Sequence, residues 1–106
     1  MIELDIIIPI YNEGNNIKVL LDEFKQKLKM NYKVLICYDH ENESGLKFIS
    51  KKNEKIIFVK NLGSGPNEAI KSGFKKSSSD IIVVYMSDDF ENIELLNEMF
   101  KLINNN

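Results

Sequence analysis

Four short apolar runs, over residues 4–9, 33–38, 56–59 and 81–86, are separated by segments whose apolar residues recur at helical spacing. Strand-length runs that alternate with amphipathic helices leave few architectures, because parallel strands need helical crossovers and the helices must cover the sheet. The pattern predicts an α/β domain: a Rossmann-like, four-stranded, mostly parallel sheet with helices on both faces. Right-handed crossovers restrict the winding. If strands one to three step outward and strand four returns to the other flank of strand one, the order is 3-2-1-4. A topological switch then falls between strands one and four, and ligands bind at such points, outside the carboxyl ends of the strands.

Within that frame the local signals are specific. Pro9 halts the first run because it cannot donate to a sheet ladder. Ile17, Leu20, Leu21, Phe24 and Leu28 form one helical stripe, with Asn15 or Asn16 as its N-cap. A short helix is predicted over residues 44–52, with Leu46 and Ile49 turned inward. Pro66 suits the first turn of the next helix, whose packing face is Ala69, Ile70, Gly73 and Phe74, the glycine permitting close approach to the sheet. Ser77-Ser78-Ser79 breaks it. Six apolar residues from Ile81 to Met86 predict a strand buried on both faces. Ile93, Leu96, Met99, Phe100 and Ile103 mark a last helix that frays into Asn104-Asn105-Asn106.

A chain of 106 residues makes a single domain, and its net charge of −2 gives no basic footprint for nucleic acid. The lone cysteine, Cys37, lies in an apolar run and reads as a reduced, buried hydrophobe; no intrachain disulfide can form. No cationic leader or long apolar stretch is encoded, so neither a signal peptide nor a membrane span is expected, and a cytoplasmic location is.

The chemistry concentrates at the predicted strand ends. Asp88 and Asp89 could hold one divalent cation through hard oxygen ligands, or could serve the dipole of a helix beginning near Glu91. Gly63-Ser64-Gly65, ahead of a helix, fits either a phosphate-cradling turn or a plain turn. Lys71 fits either a phosphate partner or a solvated lysine. Asp39, closing strand two, could accept hydrogen bonds from a base or a ribose, or could be structural. His40 has no second histidine or cysteine to share a metal, and no serine partner that would make a nucleophile system.

Ile6-Ile7-Ile8-Pro9-Ile10-Tyr11-Asn12-Glu13 with Asn16-Ile17 resembles the opening of family 2 glycosyltransferases, whose GT-A domains begin with a similar segment. The resemblance continues through Asp39, Asn61-Leu62-Gly63-Ser64-Gly65-Pro66, residues 69–74 and Met86-Ser87-Asp88-Asp89, and is nearest to the polyprenyl-phosphate sugar transferase branch. It implies a nucleoside-diphosphate sugar donor, with Pro9, Tyr11 and Glu13 near the nucleoside and Asp39 at the base or ribose. Gly63, Gly65 and Lys71 would lie toward the phosphates, and Asp88 and Asp89 would coordinate Mg²⁺ or Mn²⁺ on the diphosphate. A lipid-linked acceptor is implied by the branch. Strand two here ends in one matching carboxylate rather than two, and Ser87 stands where a carboxylate is common. Family domains continue beyond the acidic motif into the acceptor site and the catalytic base, and no residue here reads as that base. The implied unit is therefore a donor-binding part, completed by a C-terminal half or by a homodimer. Its rival is a non-catalytic module of the same fold that acts in assembly or regulation through an exposed edge at strand four.

Overall fold

The computed structural model describes residues 3–105. Its elements are β1 (Leu4–Pro9), α1 (Asn16–Lys27), β2 (Tyr32–Tyr38), a 3₁₀ turn (Leu46–Phe48), β3 (Ile56–Lys60), α2 (Pro66–Lys76), β4 (Ile81–Val84) and α3 (Ile93–Asn104). The four strands form one parallel sheet in the order β3-β2-β1-β4, as the alternation predicts. Leu4 pairs with Tyr32 on one side and Ile81 on the other, so β1 is central.

Side chains on a strand alternate between faces, and the two cores follow that period. Ile6, Ile8, Val34 and Ile36 pack with Ile17, Leu20 and Phe24 of α1 and Ile93 and Leu96 of α3. Ile7, Leu35, Cys37 and Val59 pack on the opposite face with Ala69 of α2. The sheet therefore has helices on both faces. Phe24 meets Tyr32 and Tyr85 edge-on, with ring centroids 6.3 and 5.4 Å apart, geometries that the aromatic quadrupole favours. Cys37 is fully buried, and burial pushes its thiol up to about 12, where it is inert at neutral pH. Gly73 lets α2 close onto β1: a Cβ there would stand 2.7 Å from Cγ2 of the buried Ile7.

Asp5 sits inside β1 and is only 1% exposed. Its carboxylate accepts hydrogen bonds from Ser77 Oγ (2.6 Å), Ser79 Oγ (2.7 Å) and the N–H groups of Ser78 and Ser79 (3.1 and 3.2 Å). Burial alone pushes the carboxyl up, but these bonds outweigh it and hold it below the usual carboxylate range. The serine triplet that ends α2 is thus anchored to the central strand.

The structure corrects several expectations. The strand predicted over residues 81–86 ends at Val84; Tyr85 N–H still donates to Ile7 O at 2.9 Å, after which Met86 turns out to solvent. Nor is it buried on both faces. All four residues of β4 are partly exposed because it is, like β3, an edge strand of the described residues. The helix predicted over residues 44–52 is a single 3₁₀ turn, since the bonds Leu46 N–H to Glu43 O, Phe48 N–H to Gly45 O and Ile49 N–H to Leu46 O all span three residues. Ile49 is nevertheless buried, as expected, while Leu46 is partly so. On α3, Ile93 and Leu96 face the core and Phe100 packs against it, but Met99 and Ile103 are exposed. Asn15 occupies the N-cap position of α1 without a side-chain capping bond. The helix α3 runs through Asn104 rather than fraying there; Asn106 lies outside the described residues. No described helix is long and apolar enough to cross a membrane.

Candidate active site

Four strand exits are pinned to one rim. Ile10 N–H donates to Cys37 O (2.9 Å), Asn61 N–H to Tyr38 O (2.9 Å) and Tyr85 N–H to Ile7 O (2.9 Å), so each chain leaves the sheet beside its neighbour. The loops that follow enclose a cavity of about 430 Å³. Pro9, Ile10, Tyr11 and Glu13 line it after β1, Asp39 after β2, Asn61, Gly65, Pro66 and Ala69 around the start of α2, and Met86, Ser87 and Asp88 after β4. This is the switch point between β1 and β4, where the doubly wound topology places ligands. A wider groove of about 730 Å³ between residues 29–31 and α3 lies at the amino ends of the strands, away from these groups.

Asp39 is the best-anchored carboxylate of the cavity. Asn61 Nδ2 donates to its Oδ1 at 2.6 Å and Gly65 N–H to its Oδ2 at 3.3 Å. The Asn61 bond is the main reason that its carboxyl lies below the usual range, with Gly65 N–H, His40 and Lys60 adding to it against a smaller burial penalty. Gly65 reaches Asp39 because its φ of +96° is open to glycine but strained for other residues. Pro66 then begins α2 at once.

The β1–α1 loop is held by a residue that the sequence reading missed. Glu43 accepts hydrogen bonds from Asn12 N–H (2.8 Å), Glu13 N–H (3.2 Å) and Gly45 N–H (3.1 Å). Burial pushes this carboxyl up, and the bonds more than offset it. They also fix Asn12 at φ +53°, the left-handed region that asparagine tolerates. Glu13 in turn accepts Tyr11 N–H at 3.0 Å, while the Tyr11 ring stands in solvent, 69% exposed. Glu43 lies 31 positions from Asn12, so no local pattern marked it.

The two aspartates after β4 have different surroundings. Asp89 spends its carboxylate on the N–H groups of Glu91 and Asn92 (both 3.0 Å) and on Asn92 Nδ2 (2.9 Å), ahead of α3. The Asn92 side chain in particular lowers its carboxyl from the usual range. Tyr85 Oη donates to Asp89 O at 2.7 Å, which fixes the same turn from below. Asp88 lines the cavity. No group of three or more His, Cys, Asp or Glu side chains is gathered for a metal among the described residues. Asp88, whose carboxylate takes no hydrogen bond among the described residues, could offer it to a cation, which would need its other oxygens from a ligand. Mg²⁺ commonly binds in that way, through one or two carboxylates and substrate phosphates. Gly63 and Lys71 are not brought to the cavity: Gly63 packs against Glu68, and Lys71 is exposed with its Nζ 3.9 Å from Glu68.

Comparison with known proteins identifies the family. Residues 5–106 match the model of a family described as glycosyl transferase family 2. The chain is 28% identical over 108 residues to a "Dolichol-phosphate mannosyltransferase" of Pyrococcus furiosus, covering 97% of this chain and 30% of the relative. It is 24% identical over 98 residues to "Probable glycosyltransferase YdaM" of Bacillus subtilis, covering 82% of this chain and 23% of the relative. It is 29% identical over 89 residues to an "Uncharacterized glycosyltransferase" of Rickettsia bellii, covering 82% of this chain and 13% of the relative. The chain thus spans less than a third of the length of each of these proteins. With the match running through β1, the cavity loops and α3, the chain belongs to glycosyl transferase family 2.

Proposed function

We propose that this chain is the donor-binding part of a glycosyltransferase that uses a nucleoside-diphosphate sugar. The observation that carries the reading is the convergence of residues 9–13, Asp39, Gly65 and Asp88 on one cavity at the sheet's switch point. Its volume of about 430 Å³ suits a nucleotide-sized ligand. Asp39, ionised and anchored, accepts hydrogen bonds from the base or ribose, and Tyr11 offers an exposed ring to the base. Gly65 and the start of α2 lie toward the phosphates. Asp88 is the carboxylate that holds Mg²⁺ or Mn²⁺ together with the diphosphate, whereas Asp89 serves mainly to shape the turn. When bound, such a cation acts as a Lewis acid on the departing diphosphate. The residues of this chain bind and orient the donor, and the acceptor, in this reading a lipid-linked phosphate, is bound by other polypeptide. NMR amide-shift mapping with UDP and GDP in the presence of Mg²⁺ tests the reading. Shifts should concentrate at residues 10–13, 39, 61–65 and 86–88; their absence, or a cluster at the groove beside α3, would refute it.

One feature favours a second reading, a module that self-associates. Among the described residues β4 has an open edge, and Leu95, Met99 and Ile103 of α3 are exposed. Unpaired edges invite pairing with another chain. Sedimentation that shows a concentration-dependent dimer, together with no nucleotide binding, would support it over the donor reading.

A further inference from the structure

Asn61 makes a sacrifice that packing does not explain. The residue is 8% exposed, and its Oδ1 is buried with no hydrogen-bond partner among the described residues. A buried acceptor left unpaired costs stability, and such groups are rare enough to need a reason. The end of β3 is not that reason, because the Asn61 backbone N–H already ties it to Tyr38 O at 2.9 Å. The orientation of the amide follows from Asp39 instead. Asn61 Nδ2 donates to Asp39 Oδ1 at 2.6 Å, and turning the amide over would set its oxygen against the carboxylate. Gly65 N–H holds the other oxygen, Oδ2, at 3.3 Å. Asp39 is thereby gripped at both oxygens by groups that lie 22 and 26 positions away, and all three residues line the cavity. An ionised carboxylate can accept about four hydrogen bonds, so roughly two remain for a ligand.

We propose that Asn61 is a positioning residue for donor recognition: it clamps the Asp39 carboxylate so that its free lone pairs are presented to an N–H or hydroxyl of the donor's nucleoside. This rests on the donor-binding reading above and adds a residue to it. The clamp is tested on the 106-residue chain with UDP and GDP as probes in the presence of Mg²⁺, using Asn61→Ala, Asp39→Asn and the double variant. Affinity, melting temperature and the ¹³C titration of the Asp39 carboxyl are read for each. Asn61→Ala removes the orphaned oxygen along with the clamp, so its melting temperature stays close to the starting value. Its nucleotide affinity falls about tenfold or more, the scale of a lost bond to a charged group. Asp39 then titrates nearer the ordinary carboxylate range, and Asn61→Ala causes no further loss of affinity in the Asp39→Asn background. Asn61→Asp, of the same shape, gives an independent arm: the two carboxylates repel, and affinity falls more at pH 8 than at pH 5. Binding that requires Asp39 but is unchanged by either Asn61 substitution overturns the proposal while leaving the donor reading intact, as does a loss that adds fully to that of Asp39→Asn. If the unsubstituted chain binds neither nucleotide, the donor reading falls and takes this role of Asn61 with it.

Discussion

At the scale of single residues, the two aspartates after β4 divide labour. Asp88→Ala should abolish metal-dependent nucleotide binding and leave the melting temperature unchanged, whereas Asp89→Ala should lower the melting temperature by loosening the turn before α3; calorimetry with thermal melting separates the two. Asp5 belongs to stability alone. Its folded pKa lies below that of the unfolded chain, so its contribution is complete above about pH 5 and is lost as pH falls through the folded value. Asp5→Asn should cost roughly 1.5–3 kcal/mol at neutral pH, since it replaces a buried carboxylate oxygen that accepts from the serine donors. Denaturant unfolding between pH 3 and pH 7 should then show a flatter acid limb for the variant. None of this was legible beforehand at Asp5, Glu43 or Asn61, because each has a partner at least 22 positions away in the chain. Asp88 and Asp89 were visible as a pair at a strand end, but their different surroundings depend on where Asn92 points.

At the scale of elements, the sequence was most readable where period and punctuation agreed. Pro9 and Pro66 end β1 and begin α2 where expected, and the stripe of α1 buries Ile17, Leu20 and Phe24. It was least readable where neighbours decide. The residues from Ser44 onward carry apolar side chains at spacings a helix would also give, yet three-residue turns fold them instead. Met99 and Ile103 fit the helical period of α3 but are exposed. Gly73 is the element-level contact with a clear test. Alanine there gains intrinsic helix propensity of about 1 kcal/mol, but its Cβ meets a branched, fully buried Ile7 on the central strand. Overpacking of that kind costs about 1–3 kcal/mol, so Gly73→Ala should be net destabilising in denaturant unfolding.

At the scale of the whole molecule, the parallel order β3-β2-β1-β4 explains why chemistry gathers at one rim: every strand points its carboxyl end the same way, and the switch beside β1 opens a crevice there. The same order leaves β4 at the edge of the described residues, so the strand that delivers Asp88 is also the least covered. Because Asp88 offers a single carboxylate, a cation should bind weakly to the protein alone and tightly only when a diphosphate supplies further oxygens. The most direct measurement is titration calorimetry of UDP and GDP into the chain, with and without Mn²⁺, repeated on Asp88→Ala. The donor-site account predicts binding of at least one nucleotide that strengthens markedly with Mn²⁺ and loses that strengthening in Asp88→Ala. No heat with either nucleotide, or a Mn²⁺ effect that survives the substitution, would contradict it.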